Sequence, residues 1–119
     1  MKKILAIFIL FFGAYASAGA AEFMSAFEEI PLQDGLSEEE PFSFDTEEAR
    51  IIEQYVSSPT LKKSEFVKFY AGTLPALGWK LAKQTENSLS FRREEEELVL
   101  SIESADPLVA RFSLRPYGK

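Results

Sequence analysis

From Trp79 onward apolar residues recur at every second position, and that period restricts the second half of the chain to β-strands. Trp79 and Leu81 alternate with Lys80 and Ala82, and Leu89 and Phe91 alternate with Ser90 and Arg92. Leu98, Leu100 and Ile102 alternate with Val99, Ser101 and Glu103; Leu108, Ala110, Phe112 and Leu114 alternate with Val109, Arg111 and Ser113. Successive side chains of a strand point to opposite faces, so each run carries one apolar side to bury. Turn-forming residues at 85–88, 95–96 and 105–107 separate the runs. The pattern predicts an antiparallel meander of four strands.

A hairpin is expected upstream of it. Phe42 and Phe44 alternate with Ser43 and Asp45, which suits a short half-buried strand; residues 46–49 form the turn. Residues 50–57, with Ile51, Ile52, Tyr55 and Val56, form the returning strand. Between hairpin and meander the period changes to that of a helix. Phe66, Val67, Phe69, Tyr70, Leu74 and Leu77 fall within an arc of about 160°, and Glu65, Lys68, Ala71 and Gly72 lie outside it. Ser58 or Thr60 is placed to cap the start. Pro75 lacks an N–H and disfavours helical geometry at Leu74, so the regular helix should stop near Thr73. A last tight turn from Pro75 would then close on Gly78 in the left-handed conformation, with Trp79 opening the next strand. The expected fold class is α+β: an antiparallel sheet, made of an N-terminal hairpin and the four-strand meander, with one main helix packed on one face. Its expected core includes Phe66, Phe69, Tyr70, Trp79, Phe91 and Phe112.

The first twenty residues read as a secretory signal. Lys2 and Lys3 form a positive end, residues 4–12 are an unbroken apolar run, and Ala18-Gly19-Ala20 supplies small residues for cleavage, with Ala16-Ser17-Ala18 as a second option. The run is shorter than the ~20 residues a membrane-spanning helix needs. There are no cysteines, so neither a lipid on cysteine nor a disulfide staple is available. The expected location is the periplasm, or outside the cell, with no stable membrane anchor after cleavage. Losing Lys2 and Lys3 leaves 11 basic residues against 19 acidic ones, a net charge of −8. Residues 22–53 hold 11 of those acids and one base, Arg50. That balance disfavours nucleic acid as a partner.

Residues 21–41 read as an acidic, extended arm ahead of a single domain over residues 42–119. Phe27, Ile30, Leu32 and Leu36 are its apolar anchors and the candidate partner-docking residues; Pro31 and Gly35 interrupt regular structure. Such an arm can dock on its own domain or lie along another protein as an extended peptide.

Catalytic chemistry is poorly supplied. With neither histidine nor cysteine, the commonest general base, the thiol nucleophile and the usual zinc and copper ligands are missing. Ser64 and Lys68, four apart, have the spacing of a Ser–Lys pair but fall opposite the apolar face, where a solvated pair is expected. The glutamates at 94–97 offer oxygen ligands for calcium, yet neighbours in a strand point to opposite faces and converge poorly, so a solvated hairpin tip is expected. No cofactor and no enzymatic activity are expected.

The chain also resembles a family of small secreted alphaproteobacterial proteins. The likeness is carried by Phe27-x-x-x-Pro31-Leu32-x-x-Gly35-Leu36, by Phe44-Asp45 with Arg50-Ile51, and by Phe69-Tyr70-x-x-x-Leu74-Pro75-x-Leu77-Gly78-Trp79. Phe91-x-Arg93, Leu98 and Phe112-x-Leu114 complete it. Two positions depart from the family pattern: Ala49 stands where relatives carry glycine before the arginine, and 94–97 are glutamates where a turn glycine is frequent. At the level of fold the helix–strand element is also similar to small domains of lipoproteins that accompany the outer-membrane barrel assembly machine. The family implies no active site. The expectation is an exported, non-catalytic module that binds another envelope protein; the alternative is a carrier holding a small apolar ligand or peptide between helix and sheet.

Overall fold

The computed structural model describes residues 22–116; the secretory segment expected over residues 1–20 lies outside the described residues. Two compact units meet in sequence at Asp34 and Gly35, rather than at the boundary near residue 41 that composition suggests.

The described part of the first unit is a small closed ribbon, which corrects the expectation of an extended arm for residues 22–34. Strand β1 (Glu22–Phe23) pairs antiparallel with β2 (Pro31–Leu32). The Met24 N–H donates to Ile30 O at 2.9 Å and the Ile30 N–H to Phe27 O at 2.9 Å. These bonds satisfy main-chain groups that an extended arm would leave to water. Pro31 sits in β2, on a two-residue strand where its missing N–H costs little.

The second unit is built on one antiparallel sheet. Its strands are β3 (Ser37–Glu38), β4 (Phe42–Asp45), β5 (Arg50–Ser58), β6 (Lys80–Thr85), β7 (Ser88–Arg93), β8 (Glu96–Ala105) and β9 (Leu108–Pro116). Across the sheet the order is β3 and β4, then β5, β9, β8, β7 and β6. β3 and β4 share one side of β5, offset by an interruption of the strand at residues 39–41. Buried Gln54 donates from Nε2 to Glu39 O there at 2.8 Å. The predicted hairpin is β4–β5, and the predicted meander is β6–β9.

Register explains which face is the core. Phe112 lies opposite Gln54 and Leu100, Ala110 opposite Val56, and Leu89 and Phe91 opposite Leu100 and Leu98. All of these are buried on one face. Helix α1 (Lys63–Thr73) covers it, linking β5 to β6 at the far edge of the sheet. Phe66 and Tyr70 of the helix and Leu74 just past its end, spaced four apart, form a fully buried stripe. The Phe66 and Tyr70 rings meet Phe112 edge-on at 6.0 and 5.2 Å, and each other at 5.0 Å. Such ring pairs add about 0.5–1.5 kcal/mol each beyond the area they bury.

The ends of the helix differ in how far sequence anticipates them. Its N-cap is Lys62, not Ser58 or Thr60. The Ser58 hydroxyl already accepts from the Thr60 and Leu61 N–H groups at 3.2 and 3.0 Å, forming the turn that precedes the helix. Glu65 instead reaches back to the Lys62 N–H at 2.9 Å. The exit follows expectation: α1 stops at Thr73, a 3₁₀ turn runs Leu74–Leu77 with Pro75 at its start, and Gly78 closes it at φ 98°. The Trp79 N–H then donates to Leu74 O at 3.1 Å. Gly35 also adopts φ 98°, and a Cβ there would approach Leu61 Cγ to 3.2 Å.

Candidate protein-interaction surface

The side chains expected to dock a partner are mostly withdrawn from solvent. Phe27, Ile30 and Leu36 are buried and Leu32 is half-buried. Met24 is buried as well. Leu36 belongs to the second unit. A docking element needs its apolar residues on display, so these four do not form one in this conformation.

The expected core residues separate less sharply. Phe66, Tyr70, Trp79, Phe91 and Phe112 are buried; Phe69 is half-buried, its ring edge-on to Tyr70 at 4.8 Å. Trp79 follows the helix exit directly. The Arg93 guanidinium lies 4.4 Å from the centre of its ring, and Arg93 Nη1 donates to Leu77 O at 3.4 Å. The cation–π contact ties β7 to the helix exit. Trp79 Nε1 is buried and has no hydrogen-bond partner among the described residues.

What the surface does offer is strand β4. All four of its residues are exposed, which corrects the half-buried strand expected there. Phe42 and Phe44 retain 46% and 42% of their accessible surface, with ring centres 6.2 Å apart in a stacked arrangement. They lie opposite Glu53 and Ile51 on the face of the sheet away from α1. Alternation is a sound guide to which side chains share a face but carries no information on whether anything covers that face. Here β4 stands at the edge, paired with β5 alone. The turn that holds it in place is built by Thr46, whose Oγ1 accepts from the Glu48 and Ala49 N–H groups at 3.2 and 3.0 Å. This Thr46 turn needs no glycine at Ala49. A cleft of about 520 Å³ opens beside it, lined by residues 46–49, Ile51, Arg115 and Pro116.

That open face also carries several polar side-chain pairs. Ser113 Oγ donates to Glu53 at 2.7 Å, and Ser90 Oγ to Glu97 at 2.9 Å. Arg115 and Arg92 approach Glu97 at 3.1 and 3.9 Å, and Arg111 approaches Glu103 at 3.5 Å. Partial burial pushes the Glu97 carboxyl up, but the Ser90 hydroxyl and the two arginines outweigh it and hold the group below its ordinary range. Glu97 is therefore a structural anion at the centre of a cross-strand cluster.

The remaining glutamates of that run disperse. Glu94 and Glu95 form the β7–β8 loop, and Glu96 lies 4.0 Å from Arg93. Ser64 and Lys68 are exposed on α1 and line a depression of about 570 Å³ with Val67 and residues 84–86 of the β6–β7 hairpin. Among the described residues no group of three or more acidic side chains is arranged to hold a metal ion, and no helix is long and apolar enough to cross a membrane. Compared with protein-family models, with curated proteins and with solved structures, the chain matches none.

Proposed function

We propose that the protein is an exported, non-catalytic module that works in the periplasm by binding another envelope protein. The observation that carries this reading is the exposed edge strand β4, where two stacked phenylalanines face water. Large exposed aromatics beside unpaired main chain are costly to solubility and are retained where a surface is used. The export part of the reading rests on the charged, apolar and small-residue segments of residues 1–20. The absence of histidine and cysteine from the whole sequence supports the non-catalytic part.

The carrier reading draws on the depression beside Ser64 and Lys68. It is the weaker of the two, because the rings that would line a cavity between helix and sheet pack on one another at 5.0–6.0 Å. Crosslinking followed by pull-down from intact envelope tests the first reading, which expects a stoichiometric protein partner. Native mass spectrometry of the same material tests the second: a co-purifying lipid or peptide without a protein partner would reverse the order. N-terminal sequencing should place the mature start near Gly19 or Ala21; a retained Met1 in the membrane fraction would overturn export.

A further inference from the structure

The two edges of the sheet are built differently. At the far edge, β6 carries Lys80 and Lys83 and is interrupted by an irregularity at Ala82, where the register shifts between Leu81 and Lys83. Charged side chains and bulges of this kind keep an edge strand from pairing with other chains. β4 has neither a lysine nor a break over Phe42–Asp45. It also has open main chain. In antiparallel pairs, hydrogen-bonded and non-hydrogen-bonded residue pairs alternate. The Glu39 N–H bonds Tyr55 O, and the Thr46 N–H bonds Ala49 O, so β5 uses its odd-numbered residues toward this side. Phe42 and Phe44, opposite Glu53 and Ile51, are then the bonded positions. Ser43 and Asp45 turn their N–H and C=O groups outward, away from β5.

Resting on the reading of the protein as an interaction module, we infer that β4 takes up an added strand from a partner protein, an extended segment with alternating apolar residues flanked by lysine or arginine. Main-chain bonds at Ser43 and Asp45 would hold the strand, and its apolar side chains would extend the Phe42–Phe44 stack. Charge selects the occupant. Residues 37–50 contain six carboxylates and one cation, Arg50, which is already 3.0 Å from Asp45. Among the described residues no ion pair engages Glu39, Glu40, Glu47 or Glu48, and these carboxylates bracket β4 at both ends. A second copy of the chain fits poorly. Antiparallel pairing centred on Ser43 sets Phe42 against Phe44, but it also sets Glu39 against Glu47 of the other copy, and like charges directly opposite are destabilising.

The test is titration of the isotope-labelled protein with a synthetic peptide in which two valines alternate with serine between pairs of lysine. Amide shifts should concentrate at Phe42–Asp45 and be absent from Lys80–Thr85, and a glutamate-flanked counterpart should not bind. Ser43→Pro removes an outward N–H while leaving the β4–β5 bonds in place. It should weaken peptide binding by about tenfold, the loss expected of one main-chain hydrogen bond, with thermal unfolding little changed. Phe44→Thr, which keeps a strand-forming residue but removes the stack, should weaken it as well. Equal binding by both variants, or shifts centred on β6, would overturn the inference, and so would concentration-dependent self-association through β4. Photo-crosslinkers placed at residues 42 and 81 in intact envelope separate the two levels of the argument. A protein captured from residue 81 and not from 42 overturns edge pairing and leaves the interaction module standing; no capture from either, with no partner in the general pull-down, overturns both.

Discussion

Replacing Glu94 with glycine should stabilise this protein, against the usual direction of single substitutions. Among the described residues Glu94 is the one non-glycine residue with positive φ, 55°, and it occupies the first position of the two-residue β7–β8 loop. Hairpins with positive φ at that position favour glycine there. Holding an L-residue in the left-handed region costs about 1–2 kcal/mol. Glycine gives back about 0.4–1 kcal/mol of that through the greater freedom of its unfolded chain. The net gain is about 0.5–1 kcal/mol, which for a domain of this size raises Tm by about 2–8 °C. Removing a carboxylate from the acidic run would contribute in the same direction, so Glu94→Ala is the necessary control: it removes the charge and keeps the strain. Urea and thermal unfolding followed by circular dichroism at pH 7 should rank Gly above Ala, with Ala within about 0.5 kcal/mol of the parent. If Ala stabilises as much as Gly, charge is the cause. If Gly destabilises, the loop does not store backbone strain and the reasoning fails.

Trp79→Ala should cost about 3–5 kcal/mol, since Trp79 is 2% exposed; native emission that is red-shifted and readily quenched would contradict the burial. Gly72→Ala should gain about 0.5–1 kcal/mol in thermal unfolding, because Gly72 lies within α1 and nothing stands within 4 Å of the added Cβ. Glu97→Gln should lose about 1–2 kcal/mol at pH 7 by removing the anion that Arg92 and Arg115 share. The folded carboxyl titrates below the ordinary value of 4.5, so its contribution is complete above that value and is lost as pH falls through the lowered one. The gap between parent and variant should close in acid; a gap that persists there would mean the substitution acts through packing.

The α+β class and the helix exit were legible because each rests on a local rule with a physical cause. Period two marks β6–β9, and Pro75 and Gly78 each impose a backbone geometry on the residues around them. Other features depend on what lies across space. Ser58 looks like a cap until its oxygen is engaged by Thr60 and Leu61. Phe42 and Phe44 alternate as half-buried residues do, and nothing local says that their strand is at an edge and their face open. Phe27, Ile30 and Leu36 read as docking anchors from composition alone, whereas burial removes them from display. β1, β2 and β3 are two residues long and carry no period to detect.

The position of β9 bears on when the second unit can come into being. It is the last of the described strands in chain order, yet it lies in the interior of the sheet, between β5 and β8. Before it is synthesised, the chain holds a short hairpin on one side and a three-stranded piece on the other, with no common centre. Val56 lacks Ala110 and Leu100 lacks Phe112 across from it, and Phe66 and Tyr70 lack the Phe112 ring they close upon. Small isolated ribbons of this kind are marginal in water. Assembly of this sheet therefore waits for residues 108–116.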